Sequence, residues 1–305
     1  MSKPPAWDDQ RIFLAVIEEG SLAGASRRLG LAHPTVRARI EALEAALGTP
    51  LFTRSAQGLT PTAQAAALAA PARTMAQAAD LFHRLAAAPA GEASGTVRLS
   101  VSEFMGVEVV PPILARLRQS HPALSIELAL SNAPADVLGQ EVDVAVRHVE
   151  PAQGALVSRR LPPVPLGLFA SPHYLQRRGR SRTRAELASH DVIGSDRSRS
   201  DAPIAEAILP GHRPSDLALR TDSHPAQAAA ARAGLGIAVV QVPVGETDPR
   251  LRRVLPDHVV AELPLFVVAH ENLRTVPRVR AVFDALVEGL DGRGAGAAGP
   301  GGAAR

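Results

Sequence analysis

The sequence predicts a chain of two parts, a helical N-terminal part followed by a larger α/β part. Residues 7–62 contain three segments of helical apolar periodicity, separated by glycines and followed by the pattern of a short β-ribbon. A long alanine-rich segment then runs to about residue 88, and after residue 95 strand-like and helix-like segments alternate. A chain of 305 residues is long enough for about two domains.

The composition is typical of a globular protein. Hydrophobic residues make up 46% of the chain, charged residues 21% and aromatic residues only 3%, so any core is aliphatic and rich in alanine. The absence of cysteine excludes disulfides and thiolate metal sites. Neither a signal-peptide pattern nor an apolar run of about 18 residues is present, and we expect a cytoplasmic location. The net charge of +3 says little about the binding partners of the protein. Locally, residues 21–54 carry five arginines against two acids.

Residues 7–30 predict two short helices. The first covers residues 7–19 and ends at Gly20, and the second is capped by Ser21 and ends at Gly30. The candidate caps of the first helix are Asp8 and Asp9. The predicted inward-facing residues are Phe13, Val16, Ile17, Leu22, Ala25 and Leu29. A three-residue break precedes the next helical pattern, and this spacing is typical of a helix-turn-helix.

The segment LAHPTVRARIEALEAALG, residues 31–48, predicts a third helix with two different faces. Its apolar face consists of Val36, Ile40, Leu43 and Leu47. Pro34 and Ala38 lie opposite, with Thr35 and Arg37 beside them. Small residues allow close approach to another surface, and a helix N-terminus favours phosphate, so this face suits DNA. An ordinary surface helix with solvated arginines explains the segment equally well when it is considered alone.

The next residues predict a β-ribbon, or wing. Residues 49–60, TPLFTRSAQGLT, fit two short strands around a turn from Ser55 to Gly58, and Arg54 is expected at the start of the wing that they form. A wing after the second helix of a helix-turn-helix strengthens the interpretation of the preceding helix as a DNA-binding element.

A long helix is predicted from Pro61 to about Ala88, and Pro71 removes one of its internal hydrogen bonds. Its apolar positions alternate at spacings of four and three, and they are Leu68, Ala72, Met75, Ala79, Phe82 and Ala86. A coiled-coil seam and a helix packed on its own domain both explain this pattern. Residues 89–95 have the composition of a linker.

The remainder predicts an α/β domain with a largely parallel sheet. The strand-like runs are residues 96–101, 124–130, 142–147, 165–170, 236–242 and 264–269. The helical stretches are residues 107–119, 172–178, 184–188, 224–233 and 277–290. Residues 291–305 are rich in glycine and alanine, and we expect them to be disordered.

The chain resembles a LysR-type transcriptional regulator. The segments WDDQRIFLAVIEEGSLAGASRRLG, PTVRARIEALEAALG and PLFTRSAQGLTPT follow the N-terminal pattern of that family, and VRLSV, DVAVR, ASPHYL, AGLGIAV and VRAVFDAL follow in the family's order. The resemblance implies a winged helix-turn-helix, a linker helix that dimerises, and a two-lobed effector domain like that of periplasmic solute-binding proteins. It also implies a homodimer or homotetramer that binds promoter DNA and responds to a small molecule.

The resemblance also implies the boundaries of the domains. The expected segments are a winged helix-turn-helix at 6–63, a linker and dimerisation helix at 64–90, an effector domain at 91–290 and a tail at 291–305. Within the effector domain, lobe I is expected at about 91–163 and 265–290, and lobe II at about 164–264.

The start of the third helix departs from the family pattern. Where the family usually has Ser or Thr followed by Gln, this chain has Ala32 and His33. Ala32 cannot accept a hydrogen bond from the helix, and the loss of such a cap typically costs about 1 kcal/mol. Arg37 and Ala38 stand where the family usually has Ser and a basic or polar residue, so we expect an unusual operator sequence.

We expect the helix from about His33 to enter the major groove. His33, Thr35 and Arg37 would reach base edges, because arginine can bond O6 and N7 of guanine together. Pro34 and Ala38 would make close or apolar contacts, while arginines hold phosphates or the minor groove. The candidate DNA-binding residues are Ser21, Arg28, His33, Pro34, Thr35, Arg37, Ala38, Arg39 and Arg54.

An effector site is expected where strands end and helices begin, as in other α/β proteins. By resemblance, the candidate effector-binding residues are Ser100, Ser102, Phe104, Ser131, Asn132, Arg147, His148, Ser171, Thr221 and Ser223. Hydroxyl groups, helix N-termini and one arginine favour a small carboxylate, whereas Glu103 argues against an anion. A purely structural role is the alternative for each of these residues.

Two other classes of protein have weaker support. The segment GLG at 234–236 begins like a dinucleotide loop but has Val239 in the place of the third glycine, and HVE at 148–150 imitates a deaminase motif without the cysteines of the zinc site. The sequence therefore predicts no enzyme, no catalytic residue, no metal and no cofactor. A free-standing solute receptor without DNA binding is the other alternative, against which the winged segment and the missing export signal argue.

Overall fold

The computed structural model describes residues 5–55, 58–86, 93–132, 142–151, 156–211, 213–270 and 276–294. The chain divides into two compact units, Met1–Ala87 and Ala88–Arg305. The middle of the predicted wing turn, most of the predicted linker and most of the predicted tail lie outside the described residues. None of the helices in the described ranges meets the length and hydropathy that a bilayer crossing demands.

The described part of the first unit consists of helices and one ribbon. Its elements are α1 (Trp7–Glu19), α2 (Leu22–Leu29), α3 (His33–Leu47), β1 (Phe52–Ser55), β2 (Gly58–Pro61) and α4 (Ala63–Ala86). The first three helices end at Gly20, Gly30 and Gly48, whose φ angles of 65°, 65° and 67° are left-handed and favour glycine. The predicted helix-turn-helix and its helix bounds are confirmed.

One hydrophobic core holds these helices together. Its buried members include Ile12, Phe13, Val16, Ala25, Val36, Ile40, Leu43, Leu51, Ala65 and Ala72. Leu47 was expected on the same face but is 41% exposed, because the core contacts of α3 end at Leu43. The predicted cap of α1 is also wrong: Ala6 occupies the cap position, and Asp9 reaches back from the first turn to accept the Ala6 N–H.

The ribbon forms as predicted, with β1 and β2 antiparallel. A carboxylate on α3 fixes its start, since Glu44 Oε1 accepts the N–H groups of Leu51 at 2.6 Å and Phe52 at 3.1 Å. Pro61 belongs to β2, and α4 begins two residues later than predicted, with the Thr62 hydroxyl accepting the N–H of Ala65.

α4 has a buried first part and exposed positions further along. Ala65, Ala69 and Ala72 are buried, and Leu68 packs against the core of the first unit. Beyond them, Met75 is 41% exposed and Phe82 is 70% exposed. The helix continues through Pro71. The first half of the predicted seam therefore packs on its own domain.

The second unit alternates strands and helices. Its elements are β3 (Gly95–Val101), α5 (Val110–Ser120), β4 (Leu124–Leu130), β5 (Val144–Arg147), β6 (Leu156–Ala170), α6 (Pro172–Arg178), β7 (Ile193–Gly194), α7 (Ala202–Ile208), β8 (Leu219–Arg220), α8 (His224–Arg232), β9 (Ala238–Gln241), α9 (Val242–Thr247), β10 (Arg252–Val254), β11 (Ala261–His270) and α10 (Pro277–Gly294). A π-helical turn, Met105–Val109, precedes α5, and the predicted helix at 184–188 is a 3-10 turn, Ala185–Ser189.

The main sheet is mixed, which corrects the prediction of a largely parallel sheet. Its order is β10-β6-β11-β5-β3-β4, with β9 also paired to β6. β3 is parallel to β4 and β5, whereas β6 is antiparallel to β9, β10 and β11, and β11 is antiparallel to β5. The prediction failed because β11 returns along β6, and alternation in the sequence does not reveal such a return.

β6 and β11 connect two lobes of this unit. We call the region of β3, β4, β5, α5 and α10 the first lobe, and the region from α6 to β10 the second lobe. The paired strands are interrupted once, at a bulge between Leu263 and Leu265. The residues without a ladder partner there are Pro162, Pro163 and Pro264, which have no N–H to donate.

Candidate nucleic-acid interface and ligand cavity

α3 presents an exposed face opposite its buried side. Val36, Ile40 and Leu43 are at most 5% exposed and pack into the core. The exposed residues on the first two turns are His33, Pro34, Thr35, Arg37, Ala38 and Arg39. The helix is therefore held by one face while the start of the other is open to a partner.

The first turn of α3 has no side-chain cap. Ala32 is in the cap position and makes no such bond, as the sequence predicts. Pro34 has no N–H, so the backbone N–H groups of His33 and Thr35 are the donors of the first turn. Such donors, with the helix dipole behind them, favour a phosphate oxygen.

The arginines around α3 differ in their ion pairs. Arg28 donates to Glu18 at 2.5 Å, and Arg39 donates to Asp9 at 2.8 Å. In the described part of the chain, Arg37 has no ion pair, although it lies between these two arginines in sequence. To bind DNA, Arg28 and Arg39 must therefore break their ion pairs or share the carboxylate with a phosphate. Arg37 has no ion pair to break among the described residues.

The other two candidates in this unit lie in defined local structures. Ser21 Oγ accepts the N–H of Gly24 at 3.0 Å and so caps α2, as predicted. Arg54 lies in β1, paired with Leu59 of β2. The wing thus carries an arginine, and the hydrogen bonds to Glu44 attach the start of the wing to the helix-turn-helix.

The second unit contains a cavity of about 320 Å³. It is bordered by the ends of β5 and β9, by α7, by the start of α8 and by the segment between β7 and α7. The polar residues along it are Ser102, Ser131, Asn132, Arg147, His148, Ser195, Ser200, Asp201, His224, Gln227 and Gln241. Most of the other lining residues are aliphatic, among them Leu166, Ile204, Ile208, Leu217, Val239 and Leu263.

Arg147 is the buried cation of this cavity. It is 8% exposed, and its guanidinium donates to the carbonyl oxygens of Ser100 at 3.0 Å and Val146 at 2.9 Å and to Ser100 Oγ at 2.8 Å. Burial lowers the pKa of Arg147 from its usual value, yet an arginine stays protonated near neutral pH. All three acceptors are neutral.

His148 follows Arg147 and is neutral near pH 7. Burial is the largest cause of its lowered pKa, which the positive charges of His224 and Arg147 lower further, against a hydrogen bond to Pro264. Its Nδ1 lies 2.9 Å from the Pro264 carbonyl oxygen and therefore carries the proton. Nε2 of the neutral ring is then a hydrogen-bond acceptor.

The second lobe contributes an ion pair that the sequence did not predict. His224 Nε2 lies 3.0 Å from Asp201 Oδ2, which also accepts the Ser195 hydroxyl at 2.6 Å. The hydrogen bond to Asp201 raises the pKa of His224. Burial by itself raises the pKa of Asp201, but hydrogen bonds from His224 and Ser195 outweigh it and lower the pKa. Gln227 supports this group by donating to the carbonyl of Thr221 at 2.7 Å.

An aspartate holds the segment that precedes α7. Asp222 Oδ1 accepts three successive backbone N–H groups, from Asp196, Arg197 and Ser198, at 2.8 to 3.0 Å. These bonds lower the pKa of Asp222. The polar run SDRSRSD, residues 195–201, was the available sequence signal, but nothing in its spacing indicates Asp222 or His224 as its partners.

Six of the ten predicted effector residues border the cavity, and four do not. Those that border it are Ser102, Phe104, Ser131, Asn132, Arg147 and His148. Ser100 lies beneath Arg147 as its acceptor, and Ser171 caps α6 by accepting the N–H of Tyr174. Thr221 Oγ1 accepts the N–H of Ser223, which occupies the cap position of α8. Their roles as ligand contacts remain predictions.

The segment that imitates a dinucleotide loop has a role in folding. Gly234 has a φ of 86° at the end of α8, a conformation that favours glycine. A Cβ on Gly236 would lie 2.2 Å from the carbonyl oxygen of Asp191, because the two segments exchange backbone hydrogen bonds. Across the described residues, no group of three or more His, Asp or Glu side chains has the arrangement of a metal site.

These features define a class of protein: a helix-turn-helix unit with an exposed helix face, joined to an α/β unit with a ligand-sized cavity. The sequence profile described as "Bacterial regulatory helix-turn-helix protein, lysR family" matches residues 7–66, and the profile "LysR substrate binding domain" matches residues 90–291. The chain therefore belongs to the LysR family, whose members are transcriptional regulators and not enzymes.

Curated relatives are similar at moderate identity. An HTH-type transcriptional regulator of Xanthomonas campestris pv. campestris is 28% identical over 197 residues, which are 63% of this chain and 56% of that protein. The regulator PgrR of Escherichia coli is 26% identical over 186 residues, 61% of this chain and 62% of that protein. The matches thus span less than two thirds of these relatives' lengths.

The fold of a solved family member covers nearly the whole chain. The LysR family transcriptional regulator CbnR is 20% identical with a TM-score of 0.66, over 93% of this chain and 99% of that one. CbnR has also been solved in complex with its target DNA, and that structure gives a TM-score of 0.65 at 19% identity. The predicted fold class, a helix-turn-helix unit with a C-terminal α/β substrate-binding unit, is confirmed.

Proposed function

We propose that this protein is a promoter-binding transcriptional regulator whose DNA affinity or DNA arrangement changes when a small molecule occupies the cavity of the second unit. The observation that carries the proposal is the exposed start of α3, where His33, Thr35 and Arg37 face outward while the opposite side is buried. α3 would lie in the major groove, with Arg37 at a base edge and the uncapped first turn at a phosphate. A protein that binds promoter DNA must be in the compartment that contains the chromosome, so we also propose a cytoplasmic location.

We propose that two copies bind the two halves of a twofold-symmetric site. The family resemblance supports α4 as the dimer contact, and the exposure of Met75 and Phe82 on its later turns is compatible with that role. Light scattering should give a mass of at least twice the 31.9 kDa chain. A mass equal to one chain, with DNA binding retained, would contradict the dimer.

We further propose that the small molecule carries a carboxylate. Arg147 supports this, because it is buried and its described acceptors are neutral. His148, neutral and next to Arg147, offers an acceptor to a donor group of the same ligand.

Arg37→Ala tests the DNA part of the proposal. Fragments selected from genomic DNA supply the preferred sequence, and fluorescence anisotropy measures binding to it and to random duplex. The change should cost about 1–3 kcal/mol on the preferred sequence and relax preference at one base pair, with a smaller loss on random DNA. The control is Arg280→Ala in α10, an exposed arginine of the second unit, which should leave both affinities unchanged. Equal losses on both duplexes would refute the role of Arg37 as a base reader.

A further inference from the structure

The cavity contains one positive charge that no carboxylate neutralises in the described part of the chain. The Arg147 side chain donates to two backbone carbonyl oxygens and one hydroxyl, all at 2.8 to 3.0 Å. A buried cation whose neighbours are all neutral is costly, and a negatively charged ligand would remove part of that cost.

The hydrogen bonds of Arg147 leave one edge of the guanidinium without a partner among the described residues. Both N–H groups of Nη1 and one of Nη2 are used by the acceptors on Ser100 and Val146. Nε is buried and has no partner among the described residues. In a planar guanidinium, the Nε–H and one Nη2–H lie on the same edge, which has the geometry that binds both oxygens of a carboxylate.

The other charged groups of the cavity neutralise each other. His224 is paired with Asp201, which accepts the Ser195 hydroxyl as well. A second negative group on the ligand would find no unpaired cation among the described residues in this part of the cavity. It would lie near the Asp201 carboxylate, which repels it. The charge arrangement therefore suits one negative charge on the ligand and disfavours two.

The rest of the cavity is too large and too apolar for a carboxylate group alone. Five aliphatic residues supply much of the apolar lining: Ile204 in α7, Leu209 directly after α7, Leu217 shortly before β8, Val239 in β9 and Leu263 in β11. These five side chains are half-buried, and all five border the cavity. The volume of about 320 Å³ is at the lower end of the range for small-molecule pockets. Covering this apolar surface would stabilise a complex.

We infer that the effector is a monocarboxylic acid with a bulky apolar body, whose carboxylate binds Arg147 and whose body lies against Ile204, Leu217 and Val239. This inference rests on the proposed function, because it names the chemical class of the ligand of the same cavity. It excludes short acids such as acetate, dicarboxylic acids and phosphate as strong ligands.

Calorimetric titration of the full-length protein with a matched series of compounds tests the inference. The acids are acetate, butyrate, hexanoate and octanoate, and the comparison compounds are octanamide, octanedioate and inorganic phosphate. Affinity should rise about fourfold for each methylene buried. Octanoate should bind at least about tenfold more tightly than octanamide, because the amide keeps the apolar body and lacks the charge.

Two variants test which residues contact the carboxylate and the apolar body of the ligand. Arg147→Gln should reduce octanoate affinity by about tenfold or more and leave octanamide unchanged. Val239→Ser, which keeps the arginine, should flatten the dependence on chain length and preserve the preference for acid over amide. Arg280→Gln is the matched control for Arg147→Gln and should bind every compound as the unaltered protein does. The Val239→Ser result stands even if Arg147→Gln fails to fold.

Several results would overturn the inference: no binding by any acid of the series, equal binding of octanoate and octanamide, or tighter binding of octanedioate or phosphate than of octanoate. DNA binding measured on the same preparation separates the failures. If duplex DNA is bound and the acids are not, only the ligand class is wrong. If neither is bound, the proposed function fails as well.

Discussion

Arg37 and Arg147 are both without a carboxylate partner among the described residues, yet they lie in opposite surroundings. Arg37 is exposed on α3, where water solvates the guanidinium at no cost and a partner can reach it directly. Arg147 is buried at the end of β5, where three neutral oxygens replace water. Arg37 is open to a partner because the packing of α3 leaves its side of the helix exposed. Arg147 is open only to a ligand of the cavity, because several strands and helices surround it.

The comparison shows how differently the two sites are built. The exposed face of α3 belongs to a single helix, so one buried stripe fixes which residues point outward. The cavity takes residues from both lobes, and its polar groups are distant in sequence, as in the contact of His224 with Asp201. Changes in the first unit should therefore separate folding from binding cleanly, whereas changes in the second should couple them.

The largest effect is expected from a charge on the buried side of α3. Val36→Asp should cost more than about 3 kcal/mol and unfold the first unit, since Val36 is fully buried. Ala38→Asp, on the exposed side, should leave the thermal midpoint within about 2 °C and abolish DNA binding by repelling phosphates. Circular dichroism and anisotropy measure the two outcomes. Unfolding by both variants would mean that α3 is not one-sided.

An intermediate effect is expected at an ion pair that joins the lobes of the second unit. Arg232 in α8 donates to both oxygens of Glu108 at 2.7 Å and to Asp248 at 2.6 Å, and all three side chains are at most 16% exposed. Glu108→Ala should lower the free energy of unfolding by about 3 kcal/mol, because it leaves a buried arginine with one partner fewer.

Glu127→Ala is the control for this change. Glu127 also pairs with an arginine, Arg98 at 2.8 Å, but its side chain is 59% exposed. Removing it should cost less than about 0.5 kcal/mol. Urea denaturation measures both variants, and equal losses would show that burial of the Arg232 pair adds nothing.

The smallest effect is expected from pH. Because the pKa of His224 is raised, its stabilising contribution is complete below the usual histidine pKa and is lost as pH rises through the raised value. The nearby carboxylates of Glu103 and Asp222 act in the same direction. The pair is partly exposed, so after screening it contributes about 0.5 kcal/mol, or about 1–2 °C in thermal midpoint.

Melting curves at about pH 6 and about pH 8.5 measure this loss, with His224→Gln as the comparison. The unaltered protein should lose about 1–2 °C more than the variant over this interval. The carboxyl of Asp201, whose pKa is lowered, titrates only at acidic pH and does not contribute there. The same slope in both proteins would show that the His224 pair has no stabilising role.

The helices of the first unit and some elements of the second were predictable in detail, whereas α7 and α9 were not predicted. The glycines at positions 20, 30 and 48 and the apolar positions between them predicted three helices, and only Leu47 and the cap of α1 were misjudged. The strand at 124–130 and the helix at 172–178 were predicted with their observed bounds. Sequence also indicated six of the residues that border the cavity.

Pairings between distant segments were not predictable. The antiparallel return of β11 along β6, the Asp201–His224 pair and the Arg232–Glu108 pair all join residues far apart in the chain. The sequence alone determined which residues form the first three helices and which side of α3 is buried, because helical periodicity depends only on neighbours a few residues away. Tertiary structure alone decided which strands meet and which charges are neutralised in the cavity. Those outcomes depend on contacts between segments whose spacing in the chain carries no information about their distance in space.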